Sequence, residues 1–216
     1  MAHAIHADST RLYLIRHGAT DSNLRKPYVL QGRSVDMSLS ETGRKQAAAT
    51  AAFLTGHGLT RVYSSRLKRA VETAKIIAES HDIEANPLAD LHECDVGQWE
   101  GMDWATIERA HPDHYRAFLD DPQRVPYLGG ECYGDVLRRT RPVIDDLLLR
   151  HRGEAIAVVA HNVVNRVLIA HLLGLDLGRA RDLRQANGCI NVIEGRGGET
   201  VLVTMNAIFH LDGLQT

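Results

Sequence analysis

The chain has 216 residues, of which 44% are hydrophobic and 24% are charged, and its formal net charge is -2. This length and balance are typical of one globular domain with a single core. A net charge near zero gives no basic surface for a polyanion, and no apolar run is long enough to cross a bilayer. Nucleic acid and membranes are therefore not expected as partners.

The N-terminal residues and the cysteine usage indicate where the domain begins and in which compartment the protein is found. Residues 1–10 have no apolar stretch, so we expect a loose N-terminus rather than a secretory signal, followed by a single domain over residues 11–216. The chain has three cysteines, an odd number, and none lies at metal-ligand spacing. A disulfide framework is therefore not expected, which favours the reducing cytoplasm as the location. Twelve histidines are present, but only His3 and His6 suggest chelation, as an incidental pair. No metal or cofactor is expected, and a homodimer is left open.

The first predicted elements alternate between strands and helices. Residues 12–15 form a short apolar run that is typical of a buried strand. Ser40 is a suitable N-cap for a helix through about residue 55. A brief strand over residues 61–64 precedes an amphipathic helix, for which Ser65 is a candidate N-cap.

Residues 94–133 break this alternation. The segment holds three prolines, a glycine pair and six of the eleven aromatic residues of the chain. We interpret it as a cap-like insertion with short helices over the main sheet. Its aromatic side chains have two interpretations, the wall of a substrate pocket or the small core of the cap, and the second is favoured for most of them.

The second half of the chain returns to alternating elements. A long helix is predicted over residues 133–150, an apolar strand over 156–160 and a helix over 162–173. Two further strands, 189–194 and 200–206, flank a glycine pair and predict a hairpin. The predicted fold class is α/β, with a mostly parallel central sheet flanked by helices and a small helical insertion over the site.

Two of the predicted parallel strands end in a histidine. Arg16 and His17 follow the strand over residues 12–15, and His161 follows the strand over 156–160. Ligands of open α/β sheets bind outside the carboxyl ends of the strands, where helix N-termini offer N–H groups to anions. Either histidine alone is more often structural, but the pair with an arginine predicts a phosphate or carboxylate site.

Five ordered blocks resemble the histidine phosphatase superfamily, which includes the cofactor-dependent phosphoglycerate mutases. In chain order they are Leu14-Ile15-Arg16-His17-Gly18-Ala19-Thr20 with Asn23, Gln31-Gly32 with Leu39-Ser40-Glu41-Thr42-Gly43, Ser64-Ser65-Arg66-Leu67-Lys68-Arg69-Ala70 with Thr73-Ala74, Leu91-His92-Glu93 with Gly97-Gln98-Trp99-Glu100-Gly101, and Val158-Val159-Ala160-His161 with Arg166. The resemblance spans about residues 11–210 and implies a phosphoglycerate mutase-like fold.

The resemblance also implies roles for individual residues. His17 is the implied nucleophile, which forms a phosphohistidine without a metal. Glu93 is the implied proton donor, and His161 is implied to stabilise the charge of the transition state. Arg16 and Arg69 are the implied phosphate clamps, because guanidinium groups bind phosphate oxygens in pairs. The full set of implied substrate-binding residues is Arg16, Asn23, Gln31, Gly32, Arg69, His161 and Asn162.

Two points weaken the match at single positions. Three other carboxylates lie near Glu93 in the sequence, namely Asp95, Glu100 and Glu131, and only the register of the motif favours Glu93. Most relatives have glycine where this chain has Asn162, whose backbone N–H can still reach an anion. Asparagine is also a suitable helix N-cap.

The resemblance leaves the reaction and the substrate open. The segment between Glu93 and His161 is shorter than in the mutases, which favours a phosphatase that acts on a phosphorylated small metabolite. The alternatives are a cofactor-dependent phosphoglycerate mutase and a non-catalytic relative that binds phosphorylated ligands. Residues 129–131 and 206–211 resemble metal-independent phosphoserine phosphatases and phosphoglycerate-type sugar phosphatases. Phosphoserine is therefore one possible substrate, and ribazole phosphate is another. His210 in the second of these segments is either close to the site or merely a histidine at a strand end.

Overall fold

The structure, a computed structural model, describes residues 5–215. Six strands form one sheet in the order β3-β2-β4-β1-β5-β6. The strands are β1 (Ser9–Arg16), β2 (Leu59–Ser65), β3 (Ala85–Leu88), β4 (Ala155–Ala160), β5 (Ile190–Arg196) and β6 (Glu199–Ala207). The predicted loose residues 1–4, with His3 among them, lie outside the described part of the chain.

Helices follow or connect most of the strands. They are α1 (Asp21–Leu24), α2 (Glu41–Leu54), α3 (Lys68–Glu79), α4 (Trp104–Ala110), α5 (Pro112–Asp120), α6 (Tyr133–Arg150) and α7 (Asn162–Leu172). Short 3₁₀ turns lie at Ala89–Leu91, Gly97–Trp99, Leu177–Asp182 and Phe209–Leu211. Within residues 5–215, no helix combines the length and the apolar character that a membrane span needs.

The centre of the sheet is parallel. β1 pairs with β4, β4 with β2 and β2 with β3 in parallel, whereas β5 and β6 are added as antiparallel strands. β4 is buried along its whole length, as expected for a parallel strand covered on both faces. Helices α6 and α7 belong to the core on one face, and α2 and α3 to the core on the other. The predicted α/β class with a mostly parallel sheet is confirmed.

Some boundaries differ from the predictions. β1 begins at Ser9, so two residues of the expected loose segment are paired and buried. β3 was not predicted, because its sequence Ala-Asn-Pro-Leu has no apolar alternation and contains a proline that only an edge strand tolerates. Ser65 is not the N-cap of α3. It is the last residue of β2, and Asp36 accepts the hydrogen bond of the first helical N–H, that of Lys68, at 2.6 Å.

Candidate active site

His17 lies just after the end of β1, and each of its ring nitrogens has a hydrogen-bond partner. Nδ1 donates to the carbonyl oxygen of Gly18 at 2.7 Å, and Nε2 accepts from Nε of Arg69 at 3.3 Å. The backbone N–H of His17 donates to Ala160 on β4 at 3.1 Å. Because a carbonyl oxygen can only accept, the proton of the neutral ring lies on Nδ1 and the lone pair lies on Nε2.

Two glycines let the loop after β1 pack directly onto the start of α2. A Cβ on Gly18 would overlap the carbonyl oxygen of Gly43, and a Cβ on Gly43 would overlap the carbonyl oxygen of Ala19. Ser40, the N-cap of α2, joins both segments, since its hydroxyl donates to Ala19 at 2.9 Å and accepts from the N–H of Gly43 at 3.0 Å. Backbone packing of this kind holds the loop that carries His17.

Two buried arginines lie beside this loop. Arg16 donates to the carbonyl oxygen of Gln185 at 2.5 Å, and Arg69 donates to those of Gly32 at 2.8 Å and Val35 at 3.1 Å. Neither guanidinium forms an ion pair within residues 5–215. Burial lowers the pKa of both groups. Two buried positive charges that lack a carboxylate partner favour the binding of an anion.

The end of β4 carries the second histidine. His161 is fully buried, and its ring centroid lies 5.1 Å from that of His17. Within the described residues, neither ring nitrogen of His161 has a hydrogen-bond partner, and the same is true of the side-chain oxygen of Asn162. The predicted N-cap role of Asn162 is wrong. The extended residue before α7 is His161, and helical geometry already begins at Asn162.

The surroundings keep both imidazoles neutral. Burial holds the pKa of His17 well below its usual range, and the positive charges of Arg69 and Arg16 lower it further. Burial also holds the pKa of His161 well below its usual range, with Arg69 as the next largest cause. Both rings are therefore uncharged at neutral pH, the state in which an imidazole nitrogen can act as a nucleophile.

Glu93 reaches the same helix that His161 precedes. Its side chain is buried, and its carboxylate accepts from the backbone N–H of Cys94 at 2.9 Å and from that of Val163 at 3.2 Å. Val163 lies in the first turn of α7. These two bonds fix the carboxylate between the loop that carries Glu93 and the start of α7.

Three other carboxylates lie near Glu93 in the sequence and are alternative candidates for the proton donor. The structure gives each of them a different partner. Asp95 pairs with Arg33 at 3.1 Å, and Glu100 accepts from the N–H of Gly32 at 2.6 Å. Neither lines the cavity described below, whereas Glu93 does. Asp95 and Glu100 thus hold loops together.

The third, Glu131, belongs to a cluster that supports the loop that carries Glu93. It pairs with Arg139 of α6 at 2.8 Å. Arg139 also donates to the carbonyl oxygens of Asp90 at 2.7 Å and His92 at 2.8 Å, directly before Glu93. Sequence analysis did not identify Arg139, because a helix arginine that contacts a loop 49 residues away carries no local signal.

Three further predicted residues border the loop after β1. Asn23 accepts from the backbone N–H of Thr20 at 3.0 Å, and Gln31 accepts from the hydroxyl of Thr20 at 2.8 Å. Gly32 contributes the carbonyl oxygen that Arg69 binds. A Cβ at Gly32 would lie only 2.7 Å from the carbonyl oxygen of Cys94, so the position has no room for a side chain.

A cavity of about 720 Å³ opens at this end of the sheet. Four predicted site residues line it, namely Arg16, Gln31, Glu93 and Asn162, together with Tyr28, Leu30, Val96, Trp104, Tyr115, Phe118, Leu119, Tyr127, Tyr133, Val163, Arg166, Arg181 and Asp182. The remaining predicted residues are not part of the lining; His17, for example, is only 3% exposed. The cavity therefore gives direct access to some site residues and leaves others covered.

The aromatic residues of segment 94–133 divide between the two interpretations. Trp99 is fully buried and lies edge-on to Phe118 and Tyr127, with centroid distances of 5.6 Å and 5.8 Å. Trp104 and Tyr115 line the cavity, as do Phe118 and Tyr127. The segment thus forms a small aromatic core, and one side of that core is a wall of the cavity.

Two residues at the site carried no sequence signal. Gln185 supplies the carbonyl oxygen for Arg16, and the side-chain amide of Asn187 donates to the carbonyl oxygen of His17 at 3.1 Å. Both lie in the loop before β5, about 170 positions along the chain from their partners.

His210 does not line the cavity. Its Nε2 donates to the carbonyl oxygen of Gly188 at 3.0 Å.

Comparisons with known proteins agree with this arrangement. The curated phosphoserine phosphatase 1 of Hydrogenobacter thermophilus is 32% identical over 201 residues, which cover 93% of this chain and 94% of that protein. The structure of Bacillus stearothermophilus YhfR has a TM-score of 0.86 at 29% identity, with 94% of this chain and 99% of that one covered.

A third similar protein is the phosphoserine phosphatase of Entamoeba histolytica, solved in complex with 3-phosphoglyceric acid. Its TM-score is 0.83 at 29% identity, with 94% of this chain and 99% of that one covered. Residues 12–208 match the family described as the histidine phosphatase superfamily, branch 1. The chain therefore belongs to branch 1 of the histidine phosphatase superfamily and is a phosphatase.

Proposed function

We propose that the protein hydrolyses the phosphate monoester of a small metabolite, without a metal, through a phosphohistidine on Nε2 of His17. The state of the His17 ring carries this proposal. Its Nδ1 proton is bound by the carbonyl oxygen of Gly18, so the lone pair of the neutral ring is on Nε2. Nε2 lies 3.3 Å from Nε of Arg69, whose guanidinium is suited to holding a phosphate oxygen in line with attack.

The first step transfers the phosphoryl group to the enzyme. Nε2 of His17 forms a bond to phosphorus while the bond from phosphorus to the ester oxygen breaks. The protonated carboxyl of Glu93 gives its proton to the departing oxygen, which leaves as an alcohol. Arg16 and Arg69, which have no carboxylate partner in the described structure, balance the charge of the phosphoryl oxygens.

The second step releases phosphate. The carboxylate of Glu93 takes a proton from a water molecule, whose oxygen bonds to phosphorus as the bond to His17 breaks. Inorganic phosphate leaves, and Glu93 is again protonated for the next cycle. His161, whose ring nitrogens have no protein partner in the described residues, donates to a phosphoryl oxygen in both transition states.

Hydrolysis is favoured over the mutase reaction by the short segment between Glu93 and His161. To test this, the protein is incubated with 3-phosphoglycerate and a catalytic amount of 2,3-bisphosphoglycerate. We expect slow release of inorganic phosphate with no interconversion of the 2- and 3-phosphoglycerate isomers. Rapid isomer exchange would instead identify a mutase.

Phosphoserine is the substrate we propose first. Two of the similar proteins are named phosphoserine phosphatases. The cavity also has a charged residue beyond the phosphate clamp, Arg166, as a charged metabolite requires. The cytoplasmic location and the homodimer remain predictions from the sequence.

The proposal as a whole is tested with an aryl phosphate assayed in excess chelator. We expect turnover by the wild type and none by His17→Ala. His171→Ala is the matched control, because His171 is a half-buried histidine at the far end of the helix that His161 precedes. Absence of activity in the wild type over a broad panel of phosphate esters would favour the non-catalytic alternative.

A further inference from the structure

One wall of the cavity carries polar groups that the proposed reaction does not use. Asn162 and Arg166 lie four residues apart on α7, hence on the same face of the helix, and both line the cavity. The side-chain oxygen of Asn162 and Nε of Arg166 are buried, and neither has a hydrogen-bond partner within residues 5–215. One is a free acceptor and the other a free donor. Buried polar atoms without partners are uncommon, and a ligand that enters the cavity can satisfy both of these.

The other charged groups around the cavity have protein partners. Arg181 donates to the carbonyl oxygen of Leu119 at 2.7 Å, and Asp182 pairs with Arg179 at 2.5 Å. In contrast, Arg166 forms neither an ion pair nor a side-chain hydrogen bond in the part of the chain that the structure describes. Its charge is therefore available to a ligand.

The charge of Arg166 is distinct from the phosphate clamp but close enough to influence it. Burial is the largest cause of the lowered pKa of Arg16, and the positive charge of Arg166 contributes to it. A substrate with a second anionic group would neutralise Arg166 while its phosphate neutralises Arg16. The cavity thus complements a molecule with two separate negative groups.

We propose that Asn162 and Arg166 form a subsite for the amino-acid end of an O-phosphorylated α-amino acid. Arg166 binds the α-carboxylate, for which its planar guanidinium is suited. The side-chain oxygen of Asn162 accepts a hydrogen bond from the α-ammonium group. This inference rests on the proposed function, since it assigns the substrate class of the same site.

Three esters that differ by one group each test the two assignments separately. O-phosphoserine carries both groups, O-phosphoethanolamine lacks the carboxylate, and the phosphate ester of 3-hydroxypropionate lacks the ammonium. We expect Arg166→Met to lower kcat/KM by about 50-fold on the two carboxylates and by less than about threefold on O-phosphoethanolamine. We expect Asn162→Ala to lower kcat/KM by about tenfold on the two ammonium esters only.

Arg181→Met is the matched control, because Arg181 is a second arginine of the cavity wall whose guanidinium binds a carbonyl oxygen. It should leave the ratios among the three esters unchanged. If Arg166→Met does not fold, Arg166→Lys keeps the charge but loses the planar fork, and a loss confined to the two carboxylates is again expected.

Equal losses on all three esters, or the same pattern in Arg181→Met, would overturn the subsite. An aryl phosphate separates this failure from that of the proposed function. A wild type that hydrolyses the aryl phosphate but does not distinguish the three esters contradicts only the subsite. A wild type inert toward the aryl phosphate and toward all three esters contradicts the proposed function itself.

Discussion

The ends of β1 and β4 lie side by side in parallel register, with Arg16 opposite Ala160, and each is followed by a histidine. The two ends differ in the hydrogen bonding of the histidine ring. Both nitrogens of His17 are hydrogen-bonded, and its loop is held by backbone packing. Neither nitrogen of His161 has a partner in the described residues.

This difference corresponds to the two catalytic roles that we propose for the histidines. The protein fixes the tautomer and orientation of His17 before any substrate arrives, which a nucleophile requires. His161 is placed but left with free nitrogens, which suits a group whose partner is the phosphoryl group itself. In the proposed mechanism, similar positions on neighbouring strands thus provide the bond-forming atom at one end and charge stabilisation at the other.

Replacing each histidine in turn gives the largest expected effects. His17→Ala removes the atom that we propose bonds to phosphorus, and we expect kcat on an aryl phosphate to fall by at least about 10⁵-fold. His161→Ala removes a charge-stabilising donor and should lower kcat by about 10²- to 10³-fold. Steady-state rates on one substrate measure both. Equal losses would mean that the two strand ends do not differ in role.

Glu93 extends the comparison, since it binds the helix that follows β4 and should affect only the leaving group. We expect Glu93→Gln to lower kcat/KM by about 10²-fold on alkyl phosphates, whose leaving oxygen needs a proton. On aryl phosphates, which leave without one, the loss should be less than about tenfold. A panel of esters that span a range of leaving-group pKa values measures this. A loss independent of the leaving group would count against the proton-donor role.

The close backbone packing at the β1 end depends on Gly18 and Gly43, whereas the start of α7 contains no glycine. Gly43→Ala places a methyl group on the carbonyl oxygen of Ala19, and we expect it to lower the free energy of unfolding by about 2–3 kcal/mol. Asn162→Ala at the β4 end should change it by less than about 1 kcal/mol. Urea denaturation of both variants measures the difference. A Gly43→Ala protein as stable as the wild type would show that the loop yields easily.

The lowered histidine pKa values predict a pH dependence of stability. In the unfolded chain the imidazoles titrate near 6.5, whereas in the folded chain both titrate lower. As pH falls below 6.5 the unfolded chain binds more protons, so stability is present above this pH and is lost as pH falls toward the folded pKa values. Each ring contributes a slope of up to about 1.4 kcal/mol per pH unit.

His161→Gln isolates one of these two contributions. The variant should show a slope of unfolding free energy between pH 5 and 6.5 that is smaller than that of the wild type by up to about 1.4 kcal/mol per unit. Urea denaturation across this range measures it, with His171→Gln as the control. An unchanged slope would mean that His161 is not held neutral in the folded protein.

The strand ends could be predicted from the sequence because they depend on short-range signals. An apolar run followed by a histidine predicts both a buried strand and the position of the histidine at its end. The contacts that decide the state of the rings are different. Gln185 and Asn187 bind Arg16 and His17, which lie about 170 positions earlier in the sequence, and no local pattern indicates such pairs.

The same limit explains the boundaries that were wrong. Ser65 has a good capping side chain, but Asp36 from a distant loop satisfies the start of α3 instead. Asparagine is a suitable N-cap residue, yet His161, which follows β4, occupies the N-cap position of α7. That the side-chain oxygen of Asn162 has no partner in the described residues depends on the packing of several elements around it, which the sequence alone does not show. Tertiary contacts override local preference in each case.

The most direct test of the difference between the two strand ends is to trap the enzyme during turnover. The wild type is mixed with a radiolabelled phosphate ester and quenched with alkali, in which phosphohistidine survives, and the labelled peptide is identified by mass spectrometry. The account predicts one phosphoryl group, on Nε2 of His17, and the same adduct in His161→Ala. A phosphoryl group on His161, or on Nδ1 of His17, would contradict it.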